Sequence, residues 1–200
     1  MIGPANRPVD ERGGMDWLGP EFLTWLWWRS MTEPEMSAEN GGRLYVHVDE
    51  FLELRGERAA ARRTSLRAGM PSASAEGKAA LRHGKVVTSA RLIFARGEEE
   101  TGLTLRAEDL DISAGRPPSP EGESSEERLD ASLSAIRRMY ADLDVCFAKF
   151  LAVRCSDAWE AEAGRMREWA AAPSQEESPL FSAAGSSSSA AGSELAGDGP

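Results

Sequence analysis

Basic residues concentrated in the middle of the chain are its strongest candidates for chemistry. Residues 55–96 hold ten Lys or Arg and two acids, a net charge of +8, whereas the whole 200-residue chain carries −10. Five of these basic residues share one strand parity, opposite the clearest aliphatic positions: Arg55, Arg63, Arg67, Lys85 and Arg91. They predict a cationic sheet face that binds nucleic-acid phosphates. The alternative is a solvated face that acids of a C-terminal helix neutralise.

Patterns for catalysis or metal binding are weaker. The histidines and cysteines, at positions 47, 83, 146 and 155, show no zinc-ligand spacing, and no phosphate-binding loop or nucleophile elbow occurs. Five acids could serve a metal-dependent nuclease, the least favoured hypothesis: Glu53, Asp109, Asp111, Asp142 and Asp144. Asp142 and Asp144 do not share a helix face, which weakens it. We therefore expect no enzyme, no metal and no cofactor.

Composition and the ends of the chain predict its organisation. Hydrophobic residues make up 41% of the sequence, enough for one packed core. Residues 1–15 and 173–200 are rich in Gly, Pro or Ser and predict disordered tails around a single domain over 16–172. No apolar run approaches the roughly 20 residues of a membrane span, and a signal peptide is not indicated, so we expect a cytoplasmic protein. Both cysteines are expected to be reduced and buried.

An apolar segment near the N-terminus predicts a short helix that must be covered on several sides. The helix begins at Gly19 and Pro20, and its residues are apolar nearly all round. It contains Trp25, Trp27 and Trp28, which we place in a core or an interface because an exposed tryptophan patch favours aggregation.

Alternating residues predict four or five mostly antiparallel strands with an inserted helix. The segment RLYVHVDEFLELR puts Leu44, Val46, Val48, Leu52 and Leu54 on one face. A helix is expected from Ser74, its N-cap, to His83, before Gly84 closes it. The segments KVVTSARLIFAR and LTLRAEDLDIS, joined by GEEETG, predict a hairpin. The fold class is therefore α+β, completed by long C-terminal helices.

A long helix is predicted after a Pro-rich linker, beginning at a capping box formed by Ser124 and Glu127. Its apolar residues alternate in spacings of 4 and 3: Leu129, Leu133, Ile136, Tyr140, Leu143, Phe147 and Phe150. This heptad stripe is typical of a coiled-coil seam, and equally of a helix packed on the sheet or on the Trp-rich helix. A further helical stretch, SDAWEAEAGRMREWA, follows.

Three segments carry a resemblance to a known family. They are EFLTWLWWRS, GKVVTSARLIF and an FxxFLxxRxSxxW pattern that runs from Phe147 to Trp159. Over roughly residues 17–170, the chain resembles the C-terminal half of the RdgC family of bacterial recombination-associated proteins. The resemblance implies a non-catalytic protein that encircles duplex DNA as a homodimer and restrains recombination. The family's N-terminal half has no counterpart here, so a closed ring is not expected.

Two functional hypotheses follow from these observations. The leading one is a DNA-binding protein without sequence specificity, cytoplasmic or associated with the nucleoid. The alternative is a protein-interaction or scaffold module that docks through its Trp-rich helix.

Overall fold

A computed structural model describes residues 18–37, 42–56, 63–67, 73–116 and 122–173, so the predicted tails lie outside the described residues apart from residue 173. Within these ranges the fold is α+β, as predicted. The helices are α1 (Leu18–Thr32), α2 (Ala75–Arg82), α3 (Ser125–Arg154) and α4 (Trp159–Ala171). The strands are β1 (Glu35–Ser37), β2 (Arg43–Arg55), β3 (Arg63–Arg67), β4 (Val86–Arg96), β5 (Glu99–Arg106) and β6 (Ile112–Arg116).

The strands form one antiparallel sheet in the order β1-β2-β4-β5-β6, and β3 pairs with β2. The long strand β2 has β4 along one edge. Its other edge pairs first with β1, at residues 43–45, and then with β3, at residues 51–55. The sequence predicted the strands of the β4–β5 hairpin but missed β1, whose three residues are too short for a clear alternation. It also joined the start of β6 to β5 in one predicted strand, LTLRAEDLDIS.

The Trp-rich helix α1 is the centre of the core. It packs against β2 and β4 on one side and contacts α3 and α4. Every residue from Phe22 to Trp28 is buried, including Trp25, Trp27 and Trp28. The tryptophans therefore lie in the core of the chain itself, the first of the two alternatives that the sequence left open.

The start of α1 fits tightly against the turn after β5. A Cβ atom added at Gly19 would lie 1.8 Å from the carbonyl oxygen of Ala107, a distance that no side chain tolerates. Glycine at this position lets the helix approach the sheet closely.

An aromatic cluster joins α1 to the C-terminal helices. The ring of Phe22 lies 5.0 Å from that of Phe147 and 5.4 Å from that of Phe150, and Phe150 in turn lies 5.9 Å from Trp159. Beside the cluster, Arg154 Nε donates to Glu21 Oε2 at 2.7 Å. The residues of the pattern from Phe147 to Trp159 thus pack the helices against each other and do not form a catalytic or binding site.

The caps predicted for α2 are confirmed. Ser74 Oγ accepts a hydrogen bond from the Gly77 amide at 3.2 Å, and His83 is the C-cap. Gly84 follows with φ of 81°, the left-handed conformation that glycine adopts without strain. The predicted hairpin is present, but its bounds differ. The turn is only Gly97 and Glu98, and the predicted second strand, LTLRAEDLDIS, ends at Arg106, where a turn separates β5 from β6.

Helix α3 begins as predicted, but the first half of its apolar stripe does not face the body. The capping box is confirmed, since Ser124 Oγ accepts from the Glu127 amide at 3.1 Å and Glu127 Oε2 accepts from the Ser124 amide at 3.1 Å. The buried residues of α3 are Ala135, Met139, Asp142, Cys146 and Phe150. Of the predicted heptad stripe, Phe150 is buried and Leu143 and Phe147 are half-buried against the core. The stripe therefore packs on the body only in the second half of α3, and packing of the whole stripe is wrong.

The two cysteines differ in environment. Cys146 is buried, as predicted, but Cys155 is exposed because it is the C-cap of α3. Both are free thiols. None of the described helices is long and apolar enough to cross a membrane.

Candidate nucleic-acid interface

The helices lie on one face of the sheet, and the other face, here called the open face, carries most of the predicted basic residues. Cross-strand pairs of the open face include Arg55 with Arg63 and Phe51 with Arg67. The aliphatic residues between them, such as Leu54, point to α1 and are buried. Arg55, Arg63 and Arg67 are exposed, and we call these three the arginine cluster.

Two of these arginines share one buried carboxylate. Glu53 Oε1 accepts from Arg55 Nε at 2.8 Å, and Glu53 Oε2 accepts from Arg63 Nη2 at 2.5 Å. The carboxylate is buried, but the Arg55 and Arg63 side chains remain 61% and 55% exposed. One negative charge thus orients two positive ones, and more than half of each arginine side chain still faces solvent.

The third arginine is held by an aromatic ring. The guanidinium carbon of Arg67 lies 4.9 Å from the centroid of the Phe51 ring, its cross-strand partner. A cation–π contact positions the guanidinium without neutralising it. The arginine cluster and Glu53 together therefore carry a net charge of +2.

Lys85 does not join the arginine cluster. The β2–β4 register pairs Glu53 with Ser89 but Leu54 with Val87, so Thr88 is an extra residue in a β-bulge. The bulge reverses the parity of β4, and Lys85 takes the side of buried Val87. Its Nζ donates to Thr64 Oγ1 at 2.6 Å. Thr64 lies on the same side of β3 as Leu66, the side that faces the core. The prediction that Lys85 shares a face with the arginines is wrong for this reason.

Arg91 lies on the open face but is largely covered. Its side chain is only 11% exposed and its Nε lies 3.5 Å from Glu50 Oε2. A Cβ atom added at Gly102, in the neighbouring strand, would lie 2.5 Å from Arg91 Nη2, so the side chain lies flat across β5. Arg91 is therefore a poor candidate for contact with a phosphate.

A further exposed arginine, Arg106, was missed by the sequence reasoning. It pairs with Ser89 on the open face, and its Nη2 contacts Asp109 Oδ2 at 2.9 Å and Asp111 Oδ2 at 2.8 Å. Two carboxylates offset its single charge, so its surroundings are not cationic. The acids in the segment that follows Arg106, AEDLD, are the feature of the sequence from which these ion pairs could have been predicted.

The acids considered for a nuclease are engaged by arginines or lie apart. Glu53, Asp109 and Asp111 have the partners described above, and Asp142 Oδ1 lies 2.6 Å from Arg96 Nη2. Asp144 is exposed on α3. Among the described residues, no group of three or more His, Cys, Asp or Glu could hold a metal ion.

Comparisons of the chain with protein-family models, with curated proteins and with solved structures gave no match.

Proposed function

We propose that this chain is a non-catalytic protein that binds the phosphate backbone of duplex DNA without sequence specificity. The observation that carries the proposal is the arginine cluster: three exposed guanidiniums on an open sheet face, with one buried carboxylate among them. Contacts to phosphates position a protein on DNA but carry no sequence information.

The geometry of the cluster suits phosphate binding. A guanidinium has five N–H donors, and Glu53 engages Arg55 and Arg63 through one nitrogen each. The remaining donors can bind phosphate oxygens in a bidentate manner. Because Glu53 already orders both side chains, binding costs less conformational entropy than it would for free arginines.

The dimensions of β3 support contact with more than one phosphate. Arg63 and Arg67 are four residues apart on one strand, about 13 Å at 3.3 Å per residue. This distance corresponds to about four base-pair steps of 3.4 Å along a DNA strand. The two arginines would thus meet different phosphates.

The resemblance to the RdgC family supports the same activity and suggests recombination as its process and the nucleoid as its place. In the alternative, a protein-interaction module, α1 cannot be the docking surface, because it is buried within the chain. An exposed apolar stripe on α3, described below, is the observation that now favours it.

A gel-shift or anisotropy titration with duplex DNA over a series of salt concentrations tests the proposal. The log affinity of the parent should fall steeply with log salt and should not depend on base sequence. In the double variant Arg63→Gln/Arg67→Gln, the magnitude of that slope should decrease by about 1.8, since each phosphate contact contributes about 0.9.

The matched control is Arg106→Gln, which removes an exposed arginine of the same face whose charge is already offset by two aspartates. It should leave affinity and slope close to those of the parent. Weak, salt-insensitive binding by the parent contradicts the proposal, as does a double variant that binds like the control. Cleavage of the duplex DNA during incubation with Mg²⁺ would instead favour the nuclease hypothesis.

A further inference from the structure

The first half of α3 presents an apolar stripe that nothing among the described residues covers. Its members are Leu129, Leu133, Ile136 and Tyr140, with exposed fractions of 58, 42, 37 and 51%. We call these four residues the α3 seam. Large apolar side chains at heptad spacing over three helical turns are typical of a surface that packs against another helix.

The seam lies beside the face of α3 that packs on the body. Burial along α3 begins at Ala135 and continues through Met139 and Asp142, whereas residues 122–130 are all exposed. The helix therefore extends past the body by more than two turns, about 5.4 Å each. A second helix can lie along this projecting part and continue over the exposed side chains of Ile136 and Tyr140.

The charges along the free flank of the seam alternate in sign. Heptad positions directly after Leu129 and Ile136 are occupied by Asp130 and Arg137, both exposed. On the other flank the corresponding positions are Ser132 and Met139, which carry no charge. Only one flank of the seam can therefore form ion pairs with a second helix.

This pattern is self-complementary in an antiparallel arrangement. When Leu133 lies opposite Ile136 of a second copy, Leu129 lies opposite Tyr140, and the same flanks of the two helices face each other. Asp130 of each copy then faces Arg137 of the other, which gives two opposite-charge pairs related by a two-fold axis. A parallel pair would instead place Asp130 against Ser125 and Arg137 against Ser132, neither of which carries a charge.

We propose that α3 pairs antiparallel with α3 of a second copy of this chain, through the α3 seam and the Asp130–Arg137 pairs. The arrangement places the two bodies at opposite ends of the helix pair, because each body contacts α3 from Ala135 onward. Four partly exposed side chains per copy offer less area than the roughly 1,200 Å² at which interfaces become stable. The dimer is therefore weak and depends on protein concentration.

Sedimentation velocity of the full chain, without DNA, over a range of micromolar concentrations tests this pairing. The parent should change from monomer to dimer within that range. Ile136→Asp should weaken association at least tenfold, because it puts a charge in the middle of the seam. Ser134→Asp adds the same charge on the far side of α3 and should associate like the parent.

Charge exchange tests the antiparallel register. Asp130→Arg alone and Arg137→Asp alone should each weaken self-association several-fold, since like charges would face each other twice. A mixture of these two variants should form heterodimers more readily than either variant forms homodimers, because every facing pair then has opposite charges.

Three results would overturn the pairing: a parent that stays monomeric throughout, a dimer that Ile136→Asp does not weaken, or a mixture that associates no better than its components. Thermal melts at low concentration should be nearly unchanged in all these variants, since the substituted side chains are exposed. A large fall in melting temperature for Ile136→Asp would show that another part of the same chain covers the seam, and would also overturn the proposal.

Discussion

Helix α1 and the first half of α3 are both rich in large apolar residues, yet their surroundings are opposite. In α1 the apolar residues have no clear period, and every residue from Phe22 to Trp28 is buried between the sheet and two helices. In α3 the four residues of the α3 seam follow a strict heptad and are exposed.

The contrast shows what each pattern requires of its surroundings. A helix that is apolar all round needs neighbours on several sides, and a single chain can supply them by wrapping a sheet and helices around it. A narrow heptad stripe needs only one helical neighbour, and a second chain can supply it. In this chain the helix that is apolar all round is buried in the core, whereas the regular narrow stripe stays exposed and available to a second helix.

The largest expected effect comes from truncating one large side chain in each region. Trp27 is fully buried and packs edge-on against Trp169, with ring centroids 5.0 Å apart. Trp27→Ala should lower the free energy of unfolding by about 3–5 kcal/mol. Leu133→Ala, in dilute protein, should change it by less than about 0.5 kcal/mol. Urea unfolding at low concentration measures both, and similar losses would contradict the contrast.

A smaller effect distinguishes the two faces of α3 through its cysteines. Burial, with a further contribution from the Asp142 carboxylate, raises the pKa of the Cys146 thiol to about 12. At pH 8 it is therefore almost entirely protonated and unreactive. In the native protein a thiol reagent such as DTNB should modify Cys155 quickly and Cys146 only after unfolding.

The variant Cys155→Ser is the control for this measurement. It should show no fast reaction in the native state and one reactive thiol in denaturant. Two fast thiols in the native parent would mean that the body-facing side of α3 opens readily.

The smallest effect concerns the start of α3, where the helix projects from the body. Hydrogen bonds from the backbone amides of Ser124 and Glu123 lower the pKa of Glu127 below the ordinary glutamate value of 4.5. A carboxyl group with a lowered pKa stabilises the fold above pH 4.5, and this contribution disappears as the pH falls through the lowered value. Acid should therefore fray the first turn of α3 before it unfolds the core.

An NMR titration of the Glu127 side chain measures this effect. Ser124→Ala removes the reciprocal hydrogen bond of the capping box and should move the pKa of Glu127 part of the way back towards 4.5. An unchanged pKa in Ser124→Ala would mean that the capping box does not hold the first turn in solution.

Features set by neighbouring residues were predictable from the sequence. The caps of α2, the capping box of α3 and the β4–β5 hairpin depend on a few adjacent side chains, and all are present. The fold class followed from strand alternation and helix periodicity. The open-face position of Arg55, Arg63 and Arg67 followed from the alternation in β3 and in the last five residues of β2, which pair regularly with each other.

Features set by pairing between distant elements were not predictable. The face of α3 that packs on the body includes Asp142, an aspartate that is buried because Arg96 of β4 reaches it. The sharing of Glu53 by Arg55 and Arg63 depends on the β2–β3 register, and the covering of Arg91 depends on Gly102 in β5. A single sequence does not show which strand positions face each other.

The bulge in β4 also determines which changes of chain length this sheet can absorb. No residue of β2 lies opposite Thr88, because its neighbours Ser89 and Val87 pair with consecutive residues of β2. Deleting Thr88 would therefore leave a regular β2–β4 ladder at this point, with Ser89 still on the open face and Val87 still in the core. Deleting a residue between Ala90 and Phe94 would instead exchange the inner and outer residues of part of the strand. Natural variation in the length of β4 is therefore expected at the bulge, where the open face of the sheet keeps its composition.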